Sequence, residues 1–465
     1  MHSEKIPTRV IASIVAIGLL SFCGILIETA MNIAFPTLMR EFKIPTNVVQ
    51  YLTSLNLLII SIVIPLSAYL KRNFKTKHLF LTANLLLLIG LLVGGFAPIF
   101  PLLLLGRIIQ GIAAGIALPL MFNIIMEQVP SQKLGLMMGI GQMILGVAPA
   151  LGPTFGGIIT DTLGWRWIFF LLIPIVLISL ILGLTGIQQK SAVHREPLDL
   201  LSLALIACCF CGLILGCSNF SSQPFWSWSV SGLLGLGLLG LIGWIYRTQK
   251  IDNPILNLAL LKNHFVAGHV AIYFFLQLIS IAITFLLPNY AQLVNGASPM
   301  IAGLVMLPAG FAGAAANALG GKALDRWGAR KPILFGSAFV LLELIIFAII
   351  AKNMSNVTMA IQYTIYLAGL GFVWGNTLTD TLSNLPAKQH EQGNALMNTS
   401  QQFAGSVGVA LVSTIVAFKQ RQAGTKYGLP TALGTQYSFW VLLVIGLICG
   451  LLIIRFEGQG KKHNK

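Results

Sequence analysis

Fourteen hydrophobic runs dominate the chain, and short polar breaks arrange them in groups of six, two and six. A bilayer core about 30 Å thick needs about 20 apolar residues per helical crossing, and the runs have that length. The pattern therefore predicts fourteen membrane-spanning helices and an all-α polytopic membrane protein. We place the helices at residues 9–34, 48–70, 78–97, 100–126, 134–159, 166–187, 198–218, 228–247, 263–290, 300–321, 331–351, 357–382, 392–418 and 435–456.

The composition excludes a soluble domain. Of the 465 residues, 56% are hydrophobic and 9% are charged, and the mean hydropathy is +0.85. With the N-terminus placed inside, 21 of the 29 Lys and Arg residues fall in cytoplasmic segments, seven in external loops and one, Arg107, within a span. This asymmetry predicts that both termini are cytoplasmic. It also accounts for the net charge of +16 without a nucleic-acid partner.

Two basic loops resemble each other and indicate an internal repeat. Residues 67–77 follow the second span and residues 320–331 follow the tenth. If the seventh and eighth spans are an insertion, both loops connect the second and third helices of a six-helix half. Parallel repeats of this kind place the substrate between two halves that rock. We therefore expect halves at residues 1–190 and 259–465, with two inserted helices in residues 191–258.

Arg107 lies within the fourth span, where a charged side chain is costly unless it faces a cavity or a partner. Gln110 lies one helical turn deeper on the same face. This placement favours a functional role. The alternative is that Arg107 extends its side chain toward the external interface.

Glu28 in the first span is the expected counterpart of Arg107. Each residue lies about 19 positions from the cytoplasmic end of its helix, so at 1.5 Å per residue both lie about 28 Å from the cytoplasmic ends of their helices. A carboxylate at that depth can bind or release a proton when its surroundings change. The alternative is a fixed salt bridge that only orders the helices.

The fifth span carries small residues and prolines at short intervals. Small residues let helix backbones approach closely, and prolines remove hydrogen bonds and bend the helix. Tight packing without a gating role explains any single glycine, but it explains the whole string less well. The residues are Gly146, Pro149, Gly152, Pro153, Gly156 and Gly157.

These patterns resemble the major facilitator superfamily. Residues 105–111 resemble its motif B, and residues 146–157 its motif C, the antiporter motif. Residues 28–36 resemble the first-helix motif of the fourteen-spanner drug:proton antiporter family, and residues 164–169 resemble that family's turn after helix five. Motif A is matched in the second half by Gly321, Asp325, Arg326, Gly328, Arg330 and Lys331.

The resemblance implies a major facilitator fold and an exporter that exchanges external protons for amphipathic compounds. It implies that Glu28 and Arg107 serve proton coupling and that motif A controls the cytoplasmic gate. The first-half copy of motif A departs from the family, because Ser67, Arg72 and Lys75 lie near the positions of its glycine, aspartate and glycine. The copy around Asp325 is then expected to carry more of the gating.

Other polar and aromatic residues are weaker candidates. Glu343 lies within the eleventh span and suits an interhelical hydrogen bond as well as proton transfer. Asp380 lies near the cytoplasmic end of the twelfth span and can simply face water there. Candidates for the substrate cavity are Asn32, Gln110, Tyr273 and Trp374, although aromatic residues on membrane helices also face lipid.

We expect a proton-coupled multidrug exporter in a bacterial cytoplasmic membrane, acting as a monomer in the lipid bilayer. The expected coupling ion is the proton, and we expect no cofactor, no metal site and no enzyme activity, because no metal-ligand spacing or nucleophile motif occurs. One alternative is a proton-coupled importer like the peptide transporters, but their first-helix acidic motif is absent around Glu28. A membrane-embedded enzyme that acts on lipid is another alternative. It would need a cluster of catalytic side chains, but the seven histidines, including His264 and His269, are scattered along the chain.

Overall fold

The computed structural model describes residues 7–129, 134–189, 193, 197–219, 223, 226–251, 254–386, 389–422 and 428–457. The described residues form helices and no strand. The long helices are α1 Thr8–Phe42, α2 Thr46–Leu66, α3 Thr76–Gly95, α4 Phe100–Gln128, α5 Leu134–Thr162, α6 Trp167–Gly186, α7 Leu200–Asn219, α8 Trp228–Thr248, α9 His264–Leu293, α10 Pro299–Trp327, α11 Arg330–Asn353, α12 Asn356–Ser383, α13 Gln392–Gln422 and α14 Gly428–Glu457.

Thirteen of these helices are long and apolar enough to cross a membrane by length and composition over the described residues. The remaining helix, α5, has 29 residues and occupies the fifth predicted span. The all-helical membrane fold is therefore confirmed, and the observed count is close to the predicted fourteen. A multi-pass membrane protein follows from these helices.

Helix boundaries depart from the hydropathy pattern where polar residues continue a helix beyond the apolar run. Helix α1 passes the predicted end at residue 34 and stops at Lys43, which adopts a left-handed φ of 54°. Side-chain caps begin other helices, since Ser298 accepts a hydrogen bond from the backbone of Ile301 and Ser355 from that of Thr358. Helix α10 ends at Gly328, whose φ of 75° favours glycine.

The first six and last six long helices repeat one packing pattern. Helix α1 contacts α4, α5 and α6, and α9 contacts α12, α13 and α14 in the same way. Likewise α4 packs against α2 and α3, and α12 against α10 and α11. The two sets meet through α1 with α9, α2 with α13, and α5 with α10. The division into residues 1–190, 191–258 and 259–465 stays a prediction, to which these contacts lend support.

Helices α7 and α8 form a close pair beside this interface. Gly212 and Gly240 have no room for a side chain, because an added Cβ would meet the backbone of the partner helix within 3.0 Å. Helix α7 packs on α2 and α13, and its Phe210 stacks on Phe403 of α13 with the ring centroids 4.5 Å apart. The inserted pair therefore touches both halves.

Asp199 links the two inserted helices at one end. Its carboxylate accepts hydrogen bonds from Ser202 and pairs with Arg247 of α8 at 3.3 Å. Partial burial opposes its ionisation, but the bonds from Ser202 and Arg247 outweigh that effect and hold the pKa of Asp199 below its ordinary value.

The two halves are joined tightly at the ends predicted to be external. Thr46 of α2 donates to the Gln420 side chain of α13 at 2.7 Å. Gln292 of α9 donates to the Ile33 carbonyl of α1 at 2.8 Å. Thr154 of α5 adds a bond to the α10 backbone at 3.1 Å. These contacts close the interface at one end of the molecule.

Candidate functional site

Arg107 is held in place by backbone and amide groups. Its side chain is fully buried, its Nε donates to the Leu52 carbonyl of α2 at 2.9 Å, and its Nη1 donates to Gln110 Oε1 at 2.8 Å. Asn56 in turn donates to the Arg107 carbonyl at 2.8 Å. These bonds exclude an extension of Arg107 to the external interface. Its Nη2 has no hydrogen-bond partner in the part of the chain that the structure describes.

Glu28 lies on α1, which packs against α4, and its charge interacts electrostatically with that of Arg107. The residue is 8% exposed. No hydrogen bond and no ion pair within 4.0 Å joins Glu28 to another described residue. The geometry therefore brings the two predicted coupling residues near each other without fixing them as a salt bridge.

The two polar candidates for the substrate cavity take part in contacts between helices. Asn32 accepts a hydrogen bond from Thr53 of α2 at 2.7 Å and is 2% exposed. Gln110 bonds to Arg107 and also donates to the Gly90 carbonyl of α3 at 2.8 Å. In this conformation both amides order helices, and their contact with substrate stays a prediction.

The aromatic candidates lie together in the second half. Tyr273 of α9 and Trp374 of α12 have ring centroids 4.9 Å apart. Tyr273 is buried and Trp374 is half-buried. About three turns further along the same two helices, Thr284 and Tyr363 share a hydrogen bond of 3.1 Å between their hydroxyls. A substrate role for Tyr273 and Trp374 stays a prediction, with Trp374 the more accessible ring.

The glycines predicted on α5 contact two different helices. An added Cβ at Gly152 would overlap Thr29 of α1, and one at Gly156 would overlap the backbone of Ala30. On the other side, a Cβ at Gly157 would overlap the Pro299 carbonyl of α10. Helix α5 therefore approaches both α1 and the opposite half so closely that only glycine fits.

The prolines of this string lie on the same helix. Pro153 is buried, and its carbonyl faces Gly303 of α10, whereas Pro149 is exposed. Gly146 belongs to α5, but its surroundings lie outside what the structure describes.

The second-half motif A lies at the opposite end from the closed contacts. Asp325, Arg326 and Arg330 are exposed, and no side-chain hydrogen bond or ion pair joins them to any described residue. Gly321 and Gly328 face open space, since an added Cβ would meet nothing within 4 Å. Among the described residues, the motif therefore forms no latch in this conformation.

The first-half loop carries a different charge pair. Asp325 lies four positions after Gly321, and Lys71 lies four positions after Ser67, so Lys71 stands at the position of the acid. Lys71 pairs with Glu127 at the end of α4, at 3.0 Å. The first-half copy of motif A, which departs from the family around Arg72 and Lys75, therefore carries a positive charge at the position of the acid.

Glu343 is buried within α11 and accepts hydrogen bonds from an amide. With the nitrogen of its amide facing the carboxylate, Gln362 of α12 donates to both Glu343 oxygens, one of them at 3.1 Å. The contact joins α11 to α12 and supports the interhelical role of Glu343. A part in proton transfer stays a prediction.

Asp380 is half-buried and belongs to a cluster that the sequence did not suggest. Its Oδ2 lies 3.3 Å from His269 Nε2 of α9, and the same nitrogen lies 3.3 Å from Glu457 Oε1 of α14. The three residues are far apart in the sequence, so no ligand spacing signalled them. A histidine within an apolar span was the one signal available.

The turn between α5 and α6 is stapled to the end of α1. Arg166 pairs with Glu41 at 2.9 Å and lies over the Trp165 ring. Trp165 donates its indole hydrogen to the same carboxylate at 2.7 Å. The turn that resembles the family's therefore has a structural role, because it binds the end of α1 at the predicted external end.

Comparison with known proteins decides the family. The family model described as Major Facilitator Superfamily matches residues 17–409. This chain belongs to the major facilitator superfamily. The chain is 31% identical over 465 residues to a lincomycin resistance protein LmrB of Listeria innocua, covering 96% of this chain and 97% of that protein. It is 26% identical over 401 residues to a multidrug resistance protein B homolog of Mycobacterium tuberculosis, covering 84% and 73%.

Solved structures of the superfamily share the fold. A bacterial homolog of the human lysosomal transporter Spinster, in an inward-facing and unoccupied conformation, superposes with a TM-score of 0.69 at 15% identity, covering 98% of both chains. A D-xylose–proton symporter gives 0.66 at 17% identity, covering 97% and 99%. The predicted major facilitator fold is confirmed, and family membership indicates a transporter.

Proposed function

We propose that this chain is a proton-coupled antiporter that exports drugs or other amphipathic small molecules by alternating access. Family membership and the two named resistance relatives support an exporter. The motif C string supports antiport, because it lies where α5 meets the opposite half. The transporter acts as a monomer in the cytoplasmic membrane with both termini inside, as its charge asymmetry favours.

The observation that carries coupling is the geometry of Glu28 and Arg107. Arg107 is fixed by the Leu52 carbonyl and by Gln110, whereas Glu28 has no hydrogen-bond partner among the described residues. Among the described residues, Arg107 is the one whose charge acts on the Glu28 carboxylate, and it does so without an ion pair within 4.0 Å. A movement of α1 relative to α4 changes that interaction and with it the occupancy of the proton site.

The shape of the interface supports a conformation that faces the cytoplasm. The halves are joined at the predicted external ends by Thr46 with Gln420 and by Gln292 with Ile33. Around Asp325 the gating motif is free of such contacts in the described part of the chain. Closure of this cytoplasmic end and opening of the external end would complete the cycle.

Proton-coupled export measured in reconstituted vesicles tests the proposal. Glu28→Gln keeps the shape of the side chain but removes the proton site, so we expect drug binding to survive and pH-driven uphill export to fall to the level of protein-free vesicles. Arg107→Gln should also stop export, because the Glu28 carboxylate then loses the one opposite charge that acts on it among the described residues. The matched comparison is Glu343→Gln, a change at a buried acid of α11: its interhelical role predicts that coupled export is kept, and loss of coupling would instead give Glu343 a part in proton transfer.

The double variant Glu28→Gln, Arg107→Gln separates coupling from scaffolding. A structural salt bridge predicts that removing both charges restores transport, since no uncompensated charge stays buried. Coupling predicts that the double variant stays inactive in uphill export. Robust, gradient-dependent efflux by the double variant would overturn the role of Glu28.

A further inference from the structure

Three titratable side chains meet where α9, α12 and α14 come together at the end predicted to be cytoplasmic. His269 Nε2 lies 3.3 Å from Asp380 Oδ2 and 3.3 Å from Glu457 Oε1. The three ligand-type atoms lie within 4.8 Å of one another. The side chain of His269 is fully buried and that of Glu457 nearly so, while that of Asp380 is 21% exposed. Asp380 therefore gives the cluster a route to solvent.

The second nitrogen of the imidazole settles which atom faces the acids. His269 Nδ1 lies 3.0 Å from the Phe265 carbonyl oxygen. A carbonyl only accepts, so Nδ1 carries a proton and donates it. In the neutral ring, Nε2 then presents a lone pair to two carboxylates. The arrangement is stabilised by a second proton on the ring, by a proton on one of the carboxyl groups, or by a cation between the three atoms.

The distances fit a cation. Hydrogen bonds between a charged N–H and a single carboxylate are typically about 2.7–2.9 Å long, whereas one N–H shared between two oxygens forms a longer, bifurcated bond. Both separations here are longer, at 3.3 Å. Ligand atoms about 2.0–2.1 Å from a tetrahedral ion lie about 3.4 Å from one another, which both separations match.

We propose that His269, Asp380 and Glu457 bind a divalent transition-metal cation of the Zn²⁺ type. One imidazole and two carboxylates suit such an ion, and the two negative charges balance it. The Phe265 carbonyl orients the ring as backbone acceptors orient metal-bound histidines. Water completes the coordination on the exposed side of Asp380. The ion ties three helices of the second half together, independently of the proton site at Glu28.

Metal titration of the purified full chain tests the proposal. Protein free of any affinity tag is stripped with a chelator in detergent and titrated with Zn²⁺. We expect one saturable equivalent per chain and a rise of the thermal-unfolding midpoint with Zn²⁺ concentration. His269→Gln should weaken binding by at least about tenfold and abolish the rise of the midpoint.

His264→Gln is the matched control, since His264 is exposed at the start of the same helix and lies outside the cluster. This variant should bind Zn²⁺ like the wild type. If His269→Gln does not fold, Asp380→Asn serves instead, because that half-exposed side chain keeps its size. Equal Zn²⁺ affinity in the wild type and in either cluster variant would overturn the site. So would a Co²⁺ visible absorption spectrum that is identical in wild type and Asp380→Asn.

Discussion

Individual buried charges in this protein are stabilised in different ways. Arg107 donates to a backbone carbonyl and an amide, and Glu343 accepts from the amide of Gln362. Glu28 has neither kind of partner among the described residues. A side chain that gains and loses a proton during the cycle cannot rely on hydrogen bonds that fit only one of its protonation states. Glu28 has the fewest hydrogen bonds of these three groups and is therefore the best candidate for coupling.

The contrast leads to a prediction for Glu343. Gln362→Leu removes its donor and leaves a buried acid unsatisfied, which should lower stability by about 1–3 kcal/mol. The double variant Gln362→Leu, Glu343→Leu should regain most of this loss, because no polar group is then stranded. Thermal unfolding in detergent measures both. A single variant as stable as the wild type would show that Gln362 does not stabilise Glu343.

At the scale of elements, helix α5 lies between the two halves and packs closely on both. Gly152 and Gly156 fit against α1, and Gly157 fits against α10. Because the obstacles at Gly156 and Gly157 are backbone atoms, the neighbouring helices cannot relieve an overlap by a change of rotamer. A methyl group on this helix must displace a whole helix.

Gly156→Ala is therefore expected to impair export strongly although the change is a single methyl group. The added carbon would force α5 away from Ala30 of α1, at a cost of about 1–3 kcal/mol for overpacking. The matched control is Gly235→Ala on α8, where an added Cβ meets nothing within 4 Å. That variant should keep wild-type efflux of dye from cells. Equal efflux by both variants would show that close contact at Gly156 has no part in transport.

At the scale of the whole molecule, the halves are joined at the predicted external end, and the described residues of motif A at the other end make no side-chain contact of this kind. Thr46 and Gln420 join the halves at the predicted external end, while the motif around Asp325 has no partner in the described chain. Alternating access requires the closed end to open in another state. A covalent link across the closed end should then stop the cycle.

Thr46→Cys with Gln420→Cys, joined by a short, membrane-impermeant reagent that is thiol-reactive at both ends and is added outside intact cells, should lose export. Reagent access from outside also checks the predicted orientation. The matched control is Gln420→Cys with Thr431→Cys, because Gln420 donates to Thr431 at 2.8 Å within the second half. That link should leave export intact. Normal export by the linked Thr46–Gln420 pair would show that this contact does not separate during transport.

Much of the site could be predicted from the sequence because some of its signals are local. An arginine in an apolar span and a string of small residues stand out on one helix, and depth along two helices placed Glu28 near Arg107. The partners of these residues could not be predicted. The partner of Glu343 is Gln362, and the partner of Gly156 is Ala30. Each pairing depends on which faces of two different helices meet, and the pattern of residues along one helix does not show this.

The sequence by itself determined the membrane class and the approximate number and bounds of the helices, because a long apolar helix pairs its own backbone polar groups and so suits the bilayer core. It also determined the family through motifs that lie within single helices or loops. Only the tertiary structure decided which end of the interface is closed, and that Lys71 pairs with Glu127. Only the tertiary structure brought His269, Asp380 and Glu457 together, because helix packing joins side chains that lie 111 and 77 positions apart along the chain.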